Sequence, residues 1–292
     1  MSVKEASLKS LNYVFFDFEW PQYNLSIEEF NKILEISETL PNKAKIIITI
    51  ASRSKNFDVS NETGKSTVNK LLDIILSYVD RSGLNIVAGN PAYLSETEKS
   101  KNASKTLTLL GEYIASRINT KLDVFIGTEK ILKTAVKLAA RFNFKPFLLF
   151  SNSIEAETRY ISKTIGNIEK ACYVPFSTIL SEDDLIKKTW RYVLRRKYAK
   201  DASISANINL KELEKHFRQG NAEKLPSETK RAFMKIIREF VVYENGNELK
   251  QSLNRLINQG ITTIVGLPLS GSISEITTLV SWKNCSKPDT AK

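Results

Sequence analysis

The sequence predicts an α/β protein with the strand and helix order of a TIM-barrel-like (β/α) barrel. Short apolar runs rich in β-branched and aromatic residues have the length of buried strands. Amphipathic stretches of helix length separate these runs, and Gly, Pro and Asn cluster where the runs end. Strands joined by helical crossovers form right-handed βαβ units around a parallel sheet.

Seven strands follow from the apolar runs. The first, Tyr13–Phe18, is aromatic and β-branched and ends shortly before Pro21. The others are equally short and bounded by turn residues: Lys45–Ile50, Leu84–Ala88, Asp123–Ile126, Pro146–Phe150, Ala171–Ile179 and Ile261–Val265. A closed barrel has eight strands. The eighth is therefore expected within Met1–Leu11, unless the barrel lacks or reshapes its first β/α unit, and a doubly wound open sheet is the alternative architecture.

Helices are predicted between the strands. Ser26 and Glu29 form a capping box ahead of Phe30, Ile33 and Leu34, which share one helical face. The later helices have the same amphipathic spacing and are Ser66–Val79, Ser104–Ile118, Ile131–Phe142 and Ile154–Ile165.

No strand-like run occurs between residues 181 and 240. Helices are predicted there at Asp183–Tyr198, Leu210–Gln219 and Ser227–Phe240, and a further helix, Asn247–Asn258, stops at Gly260. The chain is thus predicted to form one domain, residues 1–292, with a helical insertion before the last strand and a polar tail at residues 283–292.

The composition is typical of a folded cytoplasmic protein. Hydrophobic residues make up 42% of the 292 residues and charged residues 26%, and no run reaches the length of a membrane span. Cys172 and Cys285 lie in dissimilar surroundings, which favours free thiols in a reducing compartment. Met1–Ser10 lacks the apolar core of a signal peptide.

The net charge of +11 raises the question of an acidic partner. Lysines recur throughout, and only Arg191–Lys197, interleaved with Trp190 and Tyr192, is dense. Contact with nucleic acid would explain that cluster, but a solvated helix with an aromatic packing face explains it as well. Neither nucleic acid nor membrane is the expected partner.

The carboxyl ends of the strands nominate the candidate site, because ligands of parallel barrels bind there. Residues with suitable chemistry at or beyond the predicted strand ends are Asp17, Glu19, Trp20, Ala51, Ser52, Arg53, Gly89, Asn90, Gly127, Thr128, Ser151, Asn152 and Pro268–Ser270.

Gly127 and Thr128 carry the most specific of these predictions. A glycine–hydroxyl turn that opens a helix presents free N–H groups and the positive dipole end to a phosphate. An ordinary threonine N-cap is the alternative interpretation. Arg53 can pair a phosphate or an anionic substrate as a fork, or remain a solvated loop arginine.

The residues after the first strand are candidates for substrate binding. Asp17 and Glu19 flank Phe18 and therefore point to opposite faces, so only one of them can reach the site. Trp20 can stack on a flat ring system or pack at the rim.

Other catalytic motifs are absent or incomplete. Gly64–Thr67 resembles the end of a P-loop, but Val59 stands where that motif needs a glycine. The one histidine, His216, lies in a charged helix, and no Cys/His spacing suits zinc. No metal is expected, and the catalytic residues remain unassigned.

Several segments, taken in order, resemble the bacterial luciferase-like family of flavin- or deazaflavin-dependent oxidoreductases, in particular the alkanesulfonate monooxygenase type. Asp80–Asn90 is similar to that family's turn into the fourth strand. Phe125–Thr128, leading into Leu132–Ala140, is similar to its fifth strand, Gly/Ser turn and Ala-rich helix. Asn245–Leu249 and Ile261–Pro268 look like its final helix and strand, so that the resemblance spans roughly Asn12–Val280.

The resemblance implies reduced FMN, or alternatively a deazaflavin coenzyme, at the barrel mouth. The coenzyme phosphate would lie near Gly127 and Thr128, and its ring over Ala51–Ser52 and Gly89–Asn90. A small-molecule substrate would meet Asp17, Glu19, Trp20 and Arg53, and a homodimer is left open. The second hypothesis is a catalytically degenerate barrel that serves as a binding or structural partner.

Overall fold

The computed structural model describes residues 11–17, 29, 31–35, 44–91, 93–118, 121–196, 199–205, 207–220, 224–243 and 246–285. The chain divides into two compact units. The first comprises Met1–Leu148 and Tyr160–Ala171, and the second comprises Leu149–Arg159 and Cys172–Lys292.

The first unit is built on parallel strands that lie side by side in chain order. Tyr13 aligns with Lys45 and Ile46 with Ser82, and the later neighbours pair in the same direction. Because the strand order does not reverse, the doubly wound alternative is wrong for this unit. The strands are β1 (Tyr13–Asp17), β2 (Lys45–Ala51), β3 (Ser82–Val87), β4 (Asp123–Gly127) and β5 (Lys145–Leu149).

Helices connect these strands, as the amphipathic pattern predicts. Asn61 and Asn102 cap two of them through their side chains, and Ser95 and Glu98 form a complete capping box. Residues 31–35 are helical, and the rest of the helix predicted from Ser26 lies outside the described residues. The named helices are a 3-10 turn (Lys55–Phe57), α1 (Glu62–Ser77), α2 (Glu96–Ser100), α3 (Ala103–Arg117), α4 (Leu132–Phe142) and α5 (Ile154–Ile165).

The sheet of the first unit has two different faces. Alternate strand residues such as Ile48, Ile86 and Ile126 pack against the helices and form the main core with them. The opposite face, called here the aromatic face, carries Tyr13, Phe15, Phe125 and Phe147. The Phe15 ring centroid lies 5.3 Å from those of both Phe125 and Phe147, so these rings fill the space beside the strands.

The amino edge of this sheet is closed by ion pairs. Both carboxylate oxygens of Asp123 accept hydrogen bonds, one from Lys45 and one from Lys145, each at 2.7 Å. Lys145 also pairs with Glu169. Burial alone would raise the pKa of Asp123, but the hydrogen bonds from Lys145 and Lys45 outweigh it and hold this pKa below its usual range.

The second unit combines a few strands with most of the predicted insertion. Phe176 aligns in parallel with Val242, and the Leu269 N–H, just past the last strand, donates to the Phe176 carbonyl at 2.9 Å. Phe217, Phe233 and Phe240 belong to a core formed by the insertion helices. The elements are β6 (Ala171–Ser177), α6 (Glu182–Leu194), α7 (Ala199–Ser205), α8 (Leu210–Arg218), α9 (Ser227–Arg238), β7 (Val242–Tyr243), α10 (Gly246–Asn258), β8 (Thr263–Pro268) and α11 (Ile273–Cys285).

Several elements differ from the prediction. An eighth strand is present as the two-residue β7, whereas it was expected within Met1–Leu11, of which residues 1–10 lie outside the described part. The helix predicted to reach Tyr198 ends at Leu194. The helix α11 continues to Cys285, three residues into the predicted polar tail.

None of the helices in the described part of the chain combines the length and the apolar character needed to cross a membrane.

Candidate site at the carboxyl edge of the first sheet

Parallel pairing brings many of the predicted residues to one edge of the first sheet. Strand β1 ends at Asp17, β2 at Ala51 and β4 at Gly127, and all of these strands run in the same direction. The predicted residues at this edge are Asp17, Ala51, Ser52, Arg53, Gly89, Asn90, Gly127 and Thr128. Glu19 and Trp20 lie outside the described residues.

Two glycines at this edge permit the close approach of neighbouring strands and loops. Gly89 has φ +103°, and a Cβ there would lie 3.2 Å from both the Ala51 Cβ and a Leu94 methyl group. A Cβ on Gly127 would lie 2.8 Å from Val87 Cγ1. Side chains at either position would push the strand ends apart, so both glycines define the shape of the edge.

Arg53 holds the loop after β3. Its Nε donates to the Ala88 carbonyl at 2.8 Å and its Nη2 to the Gly89 carbonyl at 2.6 Å. The guanidinium therefore fixes the backbone next to the candidate site, which is neither of the roles considered from the sequence. Its neighbour Ser52 is buried, with its hydroxyl 3.1 Å from that of Thr106.

Thr128 does not have the local structure expected of it. Its N–H donates to the Phe147 carbonyl at 3.1 Å, and its hydroxyl donates to the same oxygen at 3.3 Å. Helix α4 begins four residues later, at Leu132, so Thr128 neither opens nor caps it. Thr128 therefore links β4 to β5, and the expectation that its N–H is free for a phosphate is corrected.

The start of α4 is nevertheless suited to an anion. Its N-cap position is Ile131, which provides no side-chain hydrogen bond, and its first turn contains no acidic residue. The first N–H groups of a helix have no partner within the helix and carry its positive dipole end. Lys130 and Lys133 are exposed on either side of Ile131 and Leu132 and add positive charge.

Two buried polar residues in the strands were missed by the sequence analysis. Asn85 is 1% exposed and donates from Nδ2 to the Thr49 hydroxyl at 3.1 Å. Strand register aligns Asn85 with Thr49, and Thr49 with Asp17, in one row. The Asn85 Oδ1 has no hydrogen-bond partner among the described residues.

A buried amide oxygen without a donor costs free energy unless a ligand or a water satisfies it. Thr49 and Asn85 interrupt otherwise apolar runs, Ile46–Ala51 and Leu84–Val87, and that interruption is the sequence signal that could have identified them. Together they form a polar row in the carboxyl-terminal halves of β2 and β3, and the strand register aligns this row with Phe125 of the aromatic face.

The second unit has a buried carboxylate near the ends of β6 and β8. Glu275 is 0% exposed and accepts hydrogen bonds from the Ser177 hydroxyl, the Thr178 N–H, and the hydroxyl and N–H of Ser270, at 2.6–3.1 Å. Burial raises the pKa of Glu275, but these donors lower it more, so it lies below the usual range. Ser270, nominated from the sequence, thus anchors Glu275.

The other nominated pair in the second unit lies before α5. The Ser151 and Ser153 hydroxyls are 2.8 Å apart, and Ser153 donates to Glu157 at 3.1 Å. Asn152 is exposed beside them. These contacts organise the first turn of the helix.

Solved structures share the fold at low sequence identity. An F420-dependent secondary alcohol dehydrogenase, in complex with an F420–acetone adduct, superposes with a TM-score of 0.63 and 10% identity, covering 96% of this chain and 91% of that one. Apo-MsnO8 superposes with a TM-score of 0.56 and 9% identity, covering 97% and 89%. Both have the luciferase-like fold, so the TIM-barrel-like class predicted from the sequence is confirmed.

The comparison by sequence is narrower. No curated protein matches the chain. Residues 2–275 match a family defined without a known activity. The chain therefore belongs to the family of unknown function DUF7388, and its fold is that of luciferase-like proteins.

Proposed function

We propose that this protein is a luciferase-like oxidoreductase that binds a deazaflavin or FMN at the carboxyl edge of its first sheet. The observation that carries the proposal is the Asn85 Oδ1 in the polar row of that sheet, which has no hydrogen-bond partner in the described part of the chain. The F420-dependent alcohol dehydrogenase of similar fold supports the choice of coenzyme class. Such a coenzyme, when bound, supplies hydride or oxygen chemistry of its own.

The residues present fit such a coenzyme in two respects. Flavin and deazaflavin rings carry an N–H group, which can donate to Asn85 Oδ1, the acceptor that has no donor among the described residues. Their side chains carry phosphate, which matches the uncapped start of α4 with Lys130 and Lys133. This moves the proposed phosphate contact from Thr128 to the first turn of the helix.

Residues around these two groups have supporting roles. Asn85 would orient the ring, and Thr49 holds the Asn85 amide through its hydroxyl. Arg53 fixes Ala88 and Gly89, and the glycines at 89 and 127 keep the edge narrow. The packed aromatic face below excludes water from one side. The proposal also includes a small-molecule substrate, which would contact Asp17, Glu19 and Trp20. The proposed reaction is that of a monooxygenase rather than a dehydrogenase.

The experiment is a titration of the purified full chain with FMN and, separately, with the deazaflavin F420, followed by coenzyme fluorescence. We expect saturable binding of at least one of them. Replacing Asn85 with Leu removes the amide, and should weaken that binding about 10-fold or more, since a lost hydrogen bond to a buried group costs about 1–3 kcal/mol. Asn56→Ala, on the exposed 3-10 turn, is the control and should bind like the wild type.

A second candidate function is a barrel that has lost catalysis and serves as a binding or structural partner. The observation in its favour is the tight packing of the predicted site, since Ala51, Ser52 and Thr128 are each no more than 2% exposed. Absence of binding to either coenzyme, together with concentration-dependent dimerisation in sedimentation experiments, would favour this candidate over the oxidoreductase.

A further inference from the structure

A surface groove of about 460 Å³ lies between α1 and α3 in the first unit. Helix residues alone line it, and none of them is a strand-end residue proposed to bind the coenzyme. Its volume is in the range of small-molecule sites. It is lined by Glu62, Lys65, Ser66, Asn69 and Lys70 of α1 and by Tyr113 and Arg117 of α3.

The charges of the groove are unequal. Glu62 is its one acidic residue, and its carboxylate pairs with Lys65 at 2.7 Å. This pair leaves Lys70 and Arg117 without a carboxylate partner among the described residues. The groove therefore has two positive charges in excess, which favours an anion.

The groove also holds its arginine in place. Asn69 Oδ1 accepts from the Tyr113 hydroxyl at 2.8 Å and from Arg117 Nη1 at 3.2 Å. The Arg117 guanidinium lies over the Tyr113 ring, 5.0 Å from its centroid. These contacts restrict Arg117 before any ligand arrives, which lowers the entropic cost of binding.

The polar groups of the groove that make no hydrogen bond within the described residues are mainly donors. Arg117 uses one of its five N–H groups in this contact, Lys70 has three, and the Asn69 amide uses its oxygen but not its nitrogen. The Ser66 hydroxyl makes no hydrogen bond within the described residues, and it can donate as well. A ligand complementary to this groove is rich in acceptors and negatively charged.

We propose that this groove is a second anion site, which binds the phosphate group of a small phosphorylated molecule. Lys65 and Ser66, the part of the sequence that resembles the end of a P-loop, lie in this groove as residues of helix α1 and not as a phosphate-wrapping loop. A lysine ammonium binds a phosphate as a point charge, and an arginine guanidinium can bind it through two parallel hydrogen bonds. The site is independent of the proposed coenzyme site.

The test is calorimetric titration of the coenzyme-free full chain with inorganic phosphate and with AMP, at low and constant ionic strength because exposed charges are screened by salt. We expect both to bind. Lys70→Ala and Arg117→Gln should each weaken binding about 10-fold, the effect of losing a charged hydrogen bond.

Two lysines of α4 provide matched controls. Lys137→Ala removes one exposed charge from the same unit outside the groove, and Lys133→Glu alters the start of α4. Lys137→Ala should retain wild-type affinity for inorganic phosphate within about twofold. Lys133→Glu removes any phosphate binding at α4, so the binding that it retains is assigned to the groove. Equal losses in the control and groove variants, unchanged binding in the groove variants, or binding of inorganic phosphate without AMP would overturn the proposal. Loss only in Lys133→Glu would assign the phosphate to α4 and would also overturn it.

Discussion

The two edges of the first sheet differ in whether their polar groups are hydrogen bonded. At the amino edge, Asp123 is hydrogen bonded by Lys45 and Lys145, so that both of its oxygens are satisfied. Toward the carboxyl edge, Asn85 Oδ1 lacks a donor among the described residues, and α4 starts without a side-chain cap. Satisfied groups contribute to stability, whereas an unsatisfied buried group costs stability unless a ligand or a water pairs with it. The same division of labour is general in (β/α) barrels.

The largest effect is expected from breaking the amino edge. Asp123→Ala leaves Lys45 and Lys145 half-buried without their common partner, and should lower the free energy of unfolding by about 2–3 kcal/mol in urea denaturation. This is below the value for a fully buried pair, because the lysine side chains are 28% and 20% exposed. Glu112→Ala, which breaks the exposed pair with Arg141, is the control and should cost less than 1 kcal/mol. Equal effects would contradict the account of this edge.

Acid should weaken the same edge. The folded pKa of Asp123 is lowered, so its contribution is complete above the unfolded value of about 3.9 and is lost as the pH falls through the folded value. The difference in stability between wild type and Asp123→Asn should therefore be constant at neutral pH and shrink below about pH 4. Urea midpoints of both proteins between pH 3 and 7 measure this, and a difference that grows in acid would have the wrong sign.

Removing the polar groups of the polar row should lower coenzyme binding and not stability, in contrast to the removal of Asp123. In the Asn85→Leu, Thr49→Val double variant, an unpaired amide oxygen is removed together with its hydroxyl partner. We expect the stability to stay within about 1 kcal/mol of the wild type or to rise, because both polar partners become apolar at once. Coenzyme binding should nevertheless weaken about 10-fold or more. A loss of several kcal/mol in urea denaturation would mean that the row is a structural element.

The smallest effect is expected at the start of α4. Lys133→Glu places a negative charge in the uncapped first turn and should stabilise the helix by a few tenths of a kcal/mol. The same charge should repel a coenzyme phosphate and weaken FMN binding several-fold. Lys137→Glu, one turn further along the same helix, should leave binding nearly unchanged. Similar losses in both variants would point to the overall charge and not to this helix end.

Much of this organisation follows from the sequence, because it depends on local patterns. The alternation of apolar runs and amphipathic helices predicts the parallel strands, and strand direction then places Ala51, Gly89 and Gly127 at one edge. The charged residues that begin three of the observed strands, Lys45, Asp123 and Lys145, form the ion-paired amino edge, although no local pattern shows that they meet.

The remainder depends on contacts between distant parts of the chain. The sequence predicts Arg53 as a ligand-binding or solvated residue, because nothing in it shows that the guanidinium reaches the carbonyls of Ala88 and Gly89. The sequence predicts Thr128 at the start of a helix, because its hydrogen bonds to Phe147 of the next strand leave no local signal. Strand β7 has two residues and is separated from the end of α9 by three residues, two of which are the apolar Phe240 and Val241, so no periodicity separates the strand from the helix.

Hydrogen–deuterium exchange with and without the bound coenzyme tests the central claim most directly, because it reports on both edges of the same sheet in one experiment. We predict slower exchange on binding in peptides covering residues 84–91 and 128–136, with no change at the amino ends of β2 and β5. Protection confined to the amino edge, or equal at both edges, would contradict the assignment of the carboxyl edge as the coenzyme site.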